Sequence, residues 1–157
     1  MTTITVRRSI AAPATRVFEV ASDIERFPEA NPDVLGVEFV TERREGVGTR
    51  FRETRRQGSK EMVTELEVTE FDPAARRIRM VTDMGGTIWD TVFEVRESGS
   101  GAEVVATMDC RAHALLSKVL NPILKPLFKR GMERHFDSFQ AHCEGAAAGT
   151  EGSRPAP

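Results

Sequence analysis

The chain has 157 residues, 39% of them hydrophobic, enough for one domain with a continuous core and too few for two. Its 22 Lys and Arg against 24 Asp and Glu leave a formal net charge of -2, so no global basic field exists to attract nucleic acid. Cys110 and Cys143 are too few for a disulfide framework, the opening MTTITVRRS lacks the apolar core of a secretion signal, and no apolar run nears the roughly 20 residues that span a bilayer. A soluble protein in a reducing, cytoplasmic setting, with no stable membrane insertion, is expected.

Ile4, Val6 and Ile10 alternate with polar residues from Thr3 to Ile10, the pattern of a strand with one covered face. Pro13 suits a first helical turn, where its missing N–H would have no partner. Val17, Phe18 and Ala21 follow at helical spacing, so a short helix runs from about Pro13 to Ala21. Ser22 and Asp23 can cap a second short helix carrying Ile24 and Phe27, ended by Pro28, Asn31 and Pro32.

From Val34 to Arg111 the period becomes two, and five turn signals cut the stretch into six pieces: Glu45 to Gly48, Gln57 to Ser59, Asp72 to Ala74, Gly85-Gly86, and Ser98 to Gly101. Connections this short join antiparallel neighbours, because parallel ones need a long crossover. A seven-stranded meander follows. Met62, Thr64, Leu66 and Val68 oppose Glu65 and Glu67; Ile78, Met80 and Thr82 oppose Arg77 and Arg79; Trp89, Thr91, Phe93 and Val95 oppose Asp90 and Glu94. Val104, Ala106, Met108 and Cys110 likewise oppose Thr107, Asp109 and Arg111. One face is therefore wet and the other needs a cover.

That cover is the stretch Leu115 to Cys143. Leu120, Leu124, Leu127, Phe128, Met132, Phe136, Phe139 and Cys143 recur at three- and four-residue steps, which gathers them on one stripe of a helix. Pro122 and Pro126 argue for a short turn over Leu115 to Leu120, a helix start with Asn121 as cap, and a kink near Pro126. The basic face of Lys118, Lys125, Lys129, Arg130 and Arg134 reads as solvated, with contact to an anionic membrane as the other use. After Glu144 the run GAAAGTEGSRPAP has no period and no large apolar residue, so residues 145–157 are expected as a disordered tail.

Ala12-Pro13, Val17-Phe18, Asp23 with Phe27-Pro28, and Pro32 resemble the opening of polyketide cyclase/dehydrase-like members of the START-like, helix-grip (SRPBCC) superfamily. Val47-Gly48-Thr49, the Phe71-Asp72-Pro73 corner and Cys143-Glu144 continue the match across about residues 3 to 144. The resemblance implies an α+β helix-grip fold over residues 1–144, in which a curved antiparallel sheet wraps the C-terminal helix and leaves a hydrophobic cavity. It implies no reaction, since the superfamily includes lipid-transfer and pollen-allergen proteins that bind as well as cyclases.

If the Trp89 face is the inner one, the cavity draws on Phe51, Met62, Thr64, Met80, Thr82, Trp89, Thr91, Met108 and Cys110, with Met132, His135, Phe136 and Phe139 from the helix. The methionines suit an adaptable apolar surface and equally an ordinary core. Glu53 and Arg55 alternate in register with Phe51, so they either point inward as a pair or sit at the open end of the sheet in solvent. His135, at the edge of the stripe, is either a proton donor or acceptor for a ligand or a solvated residue. Glu53, Arg55 and His135 are the candidate catalytic groups. His113, His135 and His142 have no ligand spacing for a metal, Gly85-Gly86 has no helix after it to bind phosphate, and neither cysteine has an adjacent His to activate it. No cofactor is expected. The leading expectation is binding or carriage of a small hydrophobic molecule such as a lipid, polyketide or isoprenoid-like compound. A cyclase/dehydrase-type enzyme is the second, and a protein-partner role the third.

Overall fold

The computed structural model describes residues 2–152, with side chains through Gly145. Seven strands, β1 (Thr2–Ile10), β2 (Val34–Phe39), β3 (Arg50–Gln57), β4 (Lys60–Asp72), β5 (Arg77–Met84), β6 (Thr87–Ser98) and β7 (Gly101–Ala112), form one antiparallel sheet in the order β1-β7-β6-β5-β4-β3-β2. The meander β2 to β7 is consecutive, and β1 closes the far edge against β7. Between β1 and β2 the chain makes α1 (Ala14–Ser22), a 3-10 turn (Ile24–Arg26) and α2 (Phe27–Ala30). The long α3 (Leu115–Gly152) follows the sheet. These are the seven-stranded meander, short helices and long C-terminal helix that the periods predict, in the curved arrangement that the resemblance implies.

The alternation is carried into burial. Ile4, Val6 and Ile10 of β1, Ile78 and Met80 of β5, and Val104, Ala106 and Cys110 of β7 are buried, and they share one core with Val17 and Phe18 of α1 and with Phe136, Phe139 and Cys143 of α3. Burying these side chains against α3 is the main term holding the layers together, at about 1.5–3 kcal/mol for each large apolar group.

Three local expectations are corrected. Pro28 lies inside α2 rather than ending a helix, and Ser22 caps nothing: its hydroxyl donates back to Phe18 O at 2.8 Å. Asn121 does not start α3 either. The helix begins at Leu115, and Asn121 is buried and donates across to Thr87 Oγ1 at 2.9 Å. Ser117 Oγ donates to Gly85 O at 2.7 Å, while Gly86 O accepts from the His113 and Ala114 amides at 2.9 and 3.1 Å. The β5–β6 hairpin thus clamps the first turn of α3 and fixes its start six residues before Asn121. Gly86, at φ +73, is tied to that clamp, since a Cβ there would lie 2.4 Å from Ala114 Cβ. Neither Pro122 nor Pro126 interrupts the helix. Both are exposed, so water can take the carbonyls their missing N–H groups leave open.

The third correction concerns the stripe. Phe128 and Met132 are partly buried and Phe136, Phe139 and Cys143 fully so, but Leu120 and Leu127 are exposed, Leu127 by 62%. Each stands one residue before an inward position, Asn121 or Phe128, and is therefore turned about 100° away from it. Past Glu144 the helix continues to Gly152, through alanines that are strong helix formers. The rest of the expected tail, 153–157, lies outside the described residues. Among the described residues no helix is long and apolar enough to cross a membrane.

Candidate functional site

Between the concave face of the sheet, the two short helices and α3 lies a cavity of about 270 Å³. Of the residues predicted for it, Met80, Thr82, Trp89, Thr91, Met108, Met132, His135, Phe136 and Phe139 line it. Phe51 and Cys110 do not. Both are fully buried in solid core, Phe51 between the rings of Phe27 and Phe39 at 6.0 and 6.5 Å. Met62 and Thr64, near the outer end of β4, also fall outside the lining; the Thr64 hydroxyl is engaged with Met84 Sδ at 3.3 Å.

The walls are fixed by packing. Trp89 donates Nε1–H to Met84 O at 3.1 Å and meets Phe128 edge-on, with ring centres 5.0 Å apart. Phe136 packs on Phe93 at 5.9 Å and on Phe139 at 5.8 Å. Gly131 opens the middle of α3 onto the cavity, with free space where a side chain would stand. Burial keeps both thiols protonated, Cys110 pushed up to about 11 and Cys143 to about 12, which fits a packing role.

Glu53 and Arg55 point inward, resolving the two options left by their register with Phe51. Glu53 is buried, and its Oε1 accepts from Arg55 Nε at 3.0 Å, with Arg55 Nη2 at 2.9 Å. Both contacts fall on one oxygen. Glu53 Oε2 has no partner among the described residues.

His135 completes the polar end. Asn31, buried in the turn after α2, accepts the Asp33 N–H on Oδ1 at 3.0 Å. That fixes its amide so that Nδ2, which can only donate, faces His135 Nδ1. Nδ1 must then be the unprotonated nitrogen, and Nε2 carries the hydrogen. His135 Nε2 has no acceptor among the described residues. Burial, and secondarily the nearby Arg55 charge, pulls the His135 pKa down to about 4, so the ring is neutral near pH 7, in agreement with the hydrogen bond. The lining of the cavity therefore includes an imidazole N–H and a carboxylate oxygen without protein partners among the described residues, together with Arg55 and the Thr82 and Thr91 hydroxyls, set among mostly apolar side chains.

Sequence reasoning missed the contribution of the short helices. Val20, Phe27 and Ala30 line the cavity, as do Val34 of β2 and Phe93 of β6, and Asn31 positions the imidazole. The signal for Asn31 was present: Asn-Pro-Asp is a sequence in which the amide bonds the backbone two residues on, leaving its NH₂ to find an acceptor elsewhere. A larger hollow of about 470 Å³ lies by α1 and the β2–β3 connection. Charged side chains dominate its lining, with Arg16 paired to Glu19 at 3.4 Å and Arg44 to Glu25 at 3.1 Å, so it lacks the apolar wall of the inner chamber.

The sequence matches the family model described as polyketide cyclase / dehydrase and lipid transport over residues 1–144. The chain belongs to this family. A protein from Thermus thermophilus is similar in fold, with a TM-score of 0.76 at 23% identity, covering 92% of this chain and 99% of that one. A START superfamily protein from Mycobacterium smegmatis gives 0.75 at 17% identity over 92% and 98% of the two chains. Norcoclaurine synthase from Thalictrum flavum gives 0.69 at 18% identity over 88% and 84%. None of the curated proteins compared matches the sequence. These structural likenesses show the helix-grip fold.

Proposed function

We propose that the chamber binds, as a carrier or receptor, a small uncharged hydrophobic molecule bearing a hydroxyl or carbonyl oxygen, of the lipid, polyketide or isoprenoid type. The observation that carries this reading is the open valence at one end of the apolar space: His135 Nε2–H and Glu53 Oε2 both lack protein partners among the described residues. Small-molecule sites combine an apolar wall with a few placed polar groups, and 270 Å³ is room for a compact ligand. An uncharged ligand follows from the charges already there. Glu53 and Arg55 neutralise each other, so a ligand carboxylate would bring a second negative charge beside Glu53 in a low-dielectric setting.

A fluorescence titration with the neutral probe N-phenyl-1-naphthylamine tests the chamber itself. Wild type is expected to bind the probe, and Gly131→Leu, which fills the space opposite the sheet, to bind it at least about tenfold more weakly, a loss of about 1.4 kcal/mol. Equal binding by both proteins would overturn the reading.

A second reading uses the same two groups for chemistry, since a carboxylate oxygen and an imidazole N–H are what proton transfer at a carbonyl compound needs. Similar folds include a norcoclaurine synthase and a di-domain ARO/CYC protein, of which this chain covers 46%. Turnover of a bound ketone that disappears in Glu53→Gln would move the reading from carrier to enzyme.

A further inference from the structure

The first turns of α3 have a packed inner face and, on the opposite side, a row of large exposed apolar residues. Inward, Ser117, Asn121 and Phe128 meet the β5–β6 hairpin and Trp89. Outward, Leu116, Val119, Ile123 and Leu127 follow one another at three- and four-residue steps, which makes a single stripe. All are more than half exposed, and Leu115 beside them reaches 82%. Single exposed apolar residues are ordinary, but five contiguous large ones on one helix mark a surface that something covers.

The charges around the stripe say what. Between Arg111 and Glu133 every charged residue is basic: Lys118, Lys125, Lys129 and Arg130. The chain as a whole carries -2, so this is a local concentration of positive charge. Lys118, Lys125 and Lys129 stand at steps of seven and four along one edge of the stripe and are exposed. The nearest acid on the clamping hairpin, Asp83, is paired with His113 at 2.8 Å. An apolar helical face edged by lysines matches a lipid surface with anionic headgroups, which takes the leucines among its acyl chains and the lysines at its phosphates. A second copy of the chain fits worse, since a two-fold pairing would bring both basic edges to one seam with no acid between them.

We propose that residues 115–130 of α3 dock the protein peripherally on an anionic membrane surface, lying in its plane. Docking requires no movement of the fold, because the stripe already faces outward. It also places Gly131 and Met132, which open onto the chamber, just beyond the lipid-facing turns.

Sedimentation of the full chain with vesicles tests this. Binding is expected to phosphatidylcholine vesicles containing about one-third phosphatidylglycerol and not to phosphatidylcholine alone, with a loss of about fivefold per basic residue reversed to Glu at Lys118, Lys125 or Lys129. Ile123→Asp with Leu127→Asp should abolish binding while leaving the circular dichroism spectrum unchanged, since both side chains are exposed. No binding to either vesicle at low salt would overturn the proposal, as would binding that survives both sets of substitutions. A dimer in solution that Ile123→Asp with Leu127→Asp dissociates, without vesicle binding, would assign the stripe to a second copy and overturn it equally.

Discussion

The two faces of the sheet each bury a carboxylate against arginine, and the two arrangements differ in what is left over. On the convex face Asp90 is 2% exposed, with Oδ1 accepting from Arg79 Nε at 2.7 Å and Oδ2 from both Arg79 and Arg111, the latter at 3.0 Å. Both oxygens are filled. On the concave face Glu53 receives both Arg55 contacts on one oxygen and keeps the other free, beside an imidazole whose N–H is also free. A buried ion pair with complete valences is a piece of structure, whereas the pair with open valences beside the cavity is where we propose that a ligand binds. The difference arises from register: Arg79 and Arg111 come from the strands on either side of β6, while Arg55 lies on the same strand as Glu53, two residues on.

The sharpest way to break that contrast is to remove the convex guanidiniums. Arg79→Met with Arg111→Met leaves Asp90 buried without a countercharge and is expected to cost about 3–5 kcal/mol in urea unfolding, with probe binding in the chamber unchanged wherever the protein is still folded. Asp90→Asn should cost less, about 1–2 kcal/mol, because the arginines it abandons are partly exposed and can turn to water.

Acid separates the same two sites by pH window. His135 titrates near 6.5 when unfolded and about 4 when folded, so the unfolded chain binds the extra proton between those values. Stability contributed by the neutral ring is complete above 6.5 and is lost as pH falls toward 4, on the order of 3 kcal/mol. Asp90 is held below its usual 3.8 by Arg79 first and Arg111 second, and its contribution disappears only at lower pH still. Stability measured against pH should therefore decline in two stages, with His135→Phe removing the first and leaving the second.

Much of this was legible in the sequence because it is local. Period-two alternation located six strands after Val34, and the Gly85-Gly86 turn, with φ of +62 and +73, joins β5 and β6 where expected. The inner and outer faces of β5, β6 and β7 were also correctly divided. What sequence could not supply was the meeting of distant elements. Asp90 reads as a wet-face residue until Arg79 and Arg111 arrive from neighbouring strands. The start of α3 is set by bonds from Ser117 and Asn121 to a hairpin some thirty residues earlier, against the local claim of Asn121 and Pro122 to be a helix start. Leu120 and Leu127 fit an apolar period, but two apolar stripes run along these turns and only packing distinguishes the covered one. The polar end of the chamber depends on Asn31 reaching His135, a contact 104 positions apart in the chain.

The central claim is that the chamber prefers an uncharged ligand with an oxygen for His135 Nε2–H to bond. Calorimetric titration with three ligands of one shape, 2-naphthol, 2-methylnaphthalene and 2-naphthoate, tests it most directly. The account predicts that 2-naphthol binds tightest, about tenfold above 2-methylnaphthalene for a net hydrogen bond of about 1.4 kcal/mol, with 2-naphthoate weakest and the naphthol advantage absent in His135→Phe. Tightest binding of 2-naphthoate, or equal binding of 2-naphthol and 2-methylnaphthalene, would contradict it.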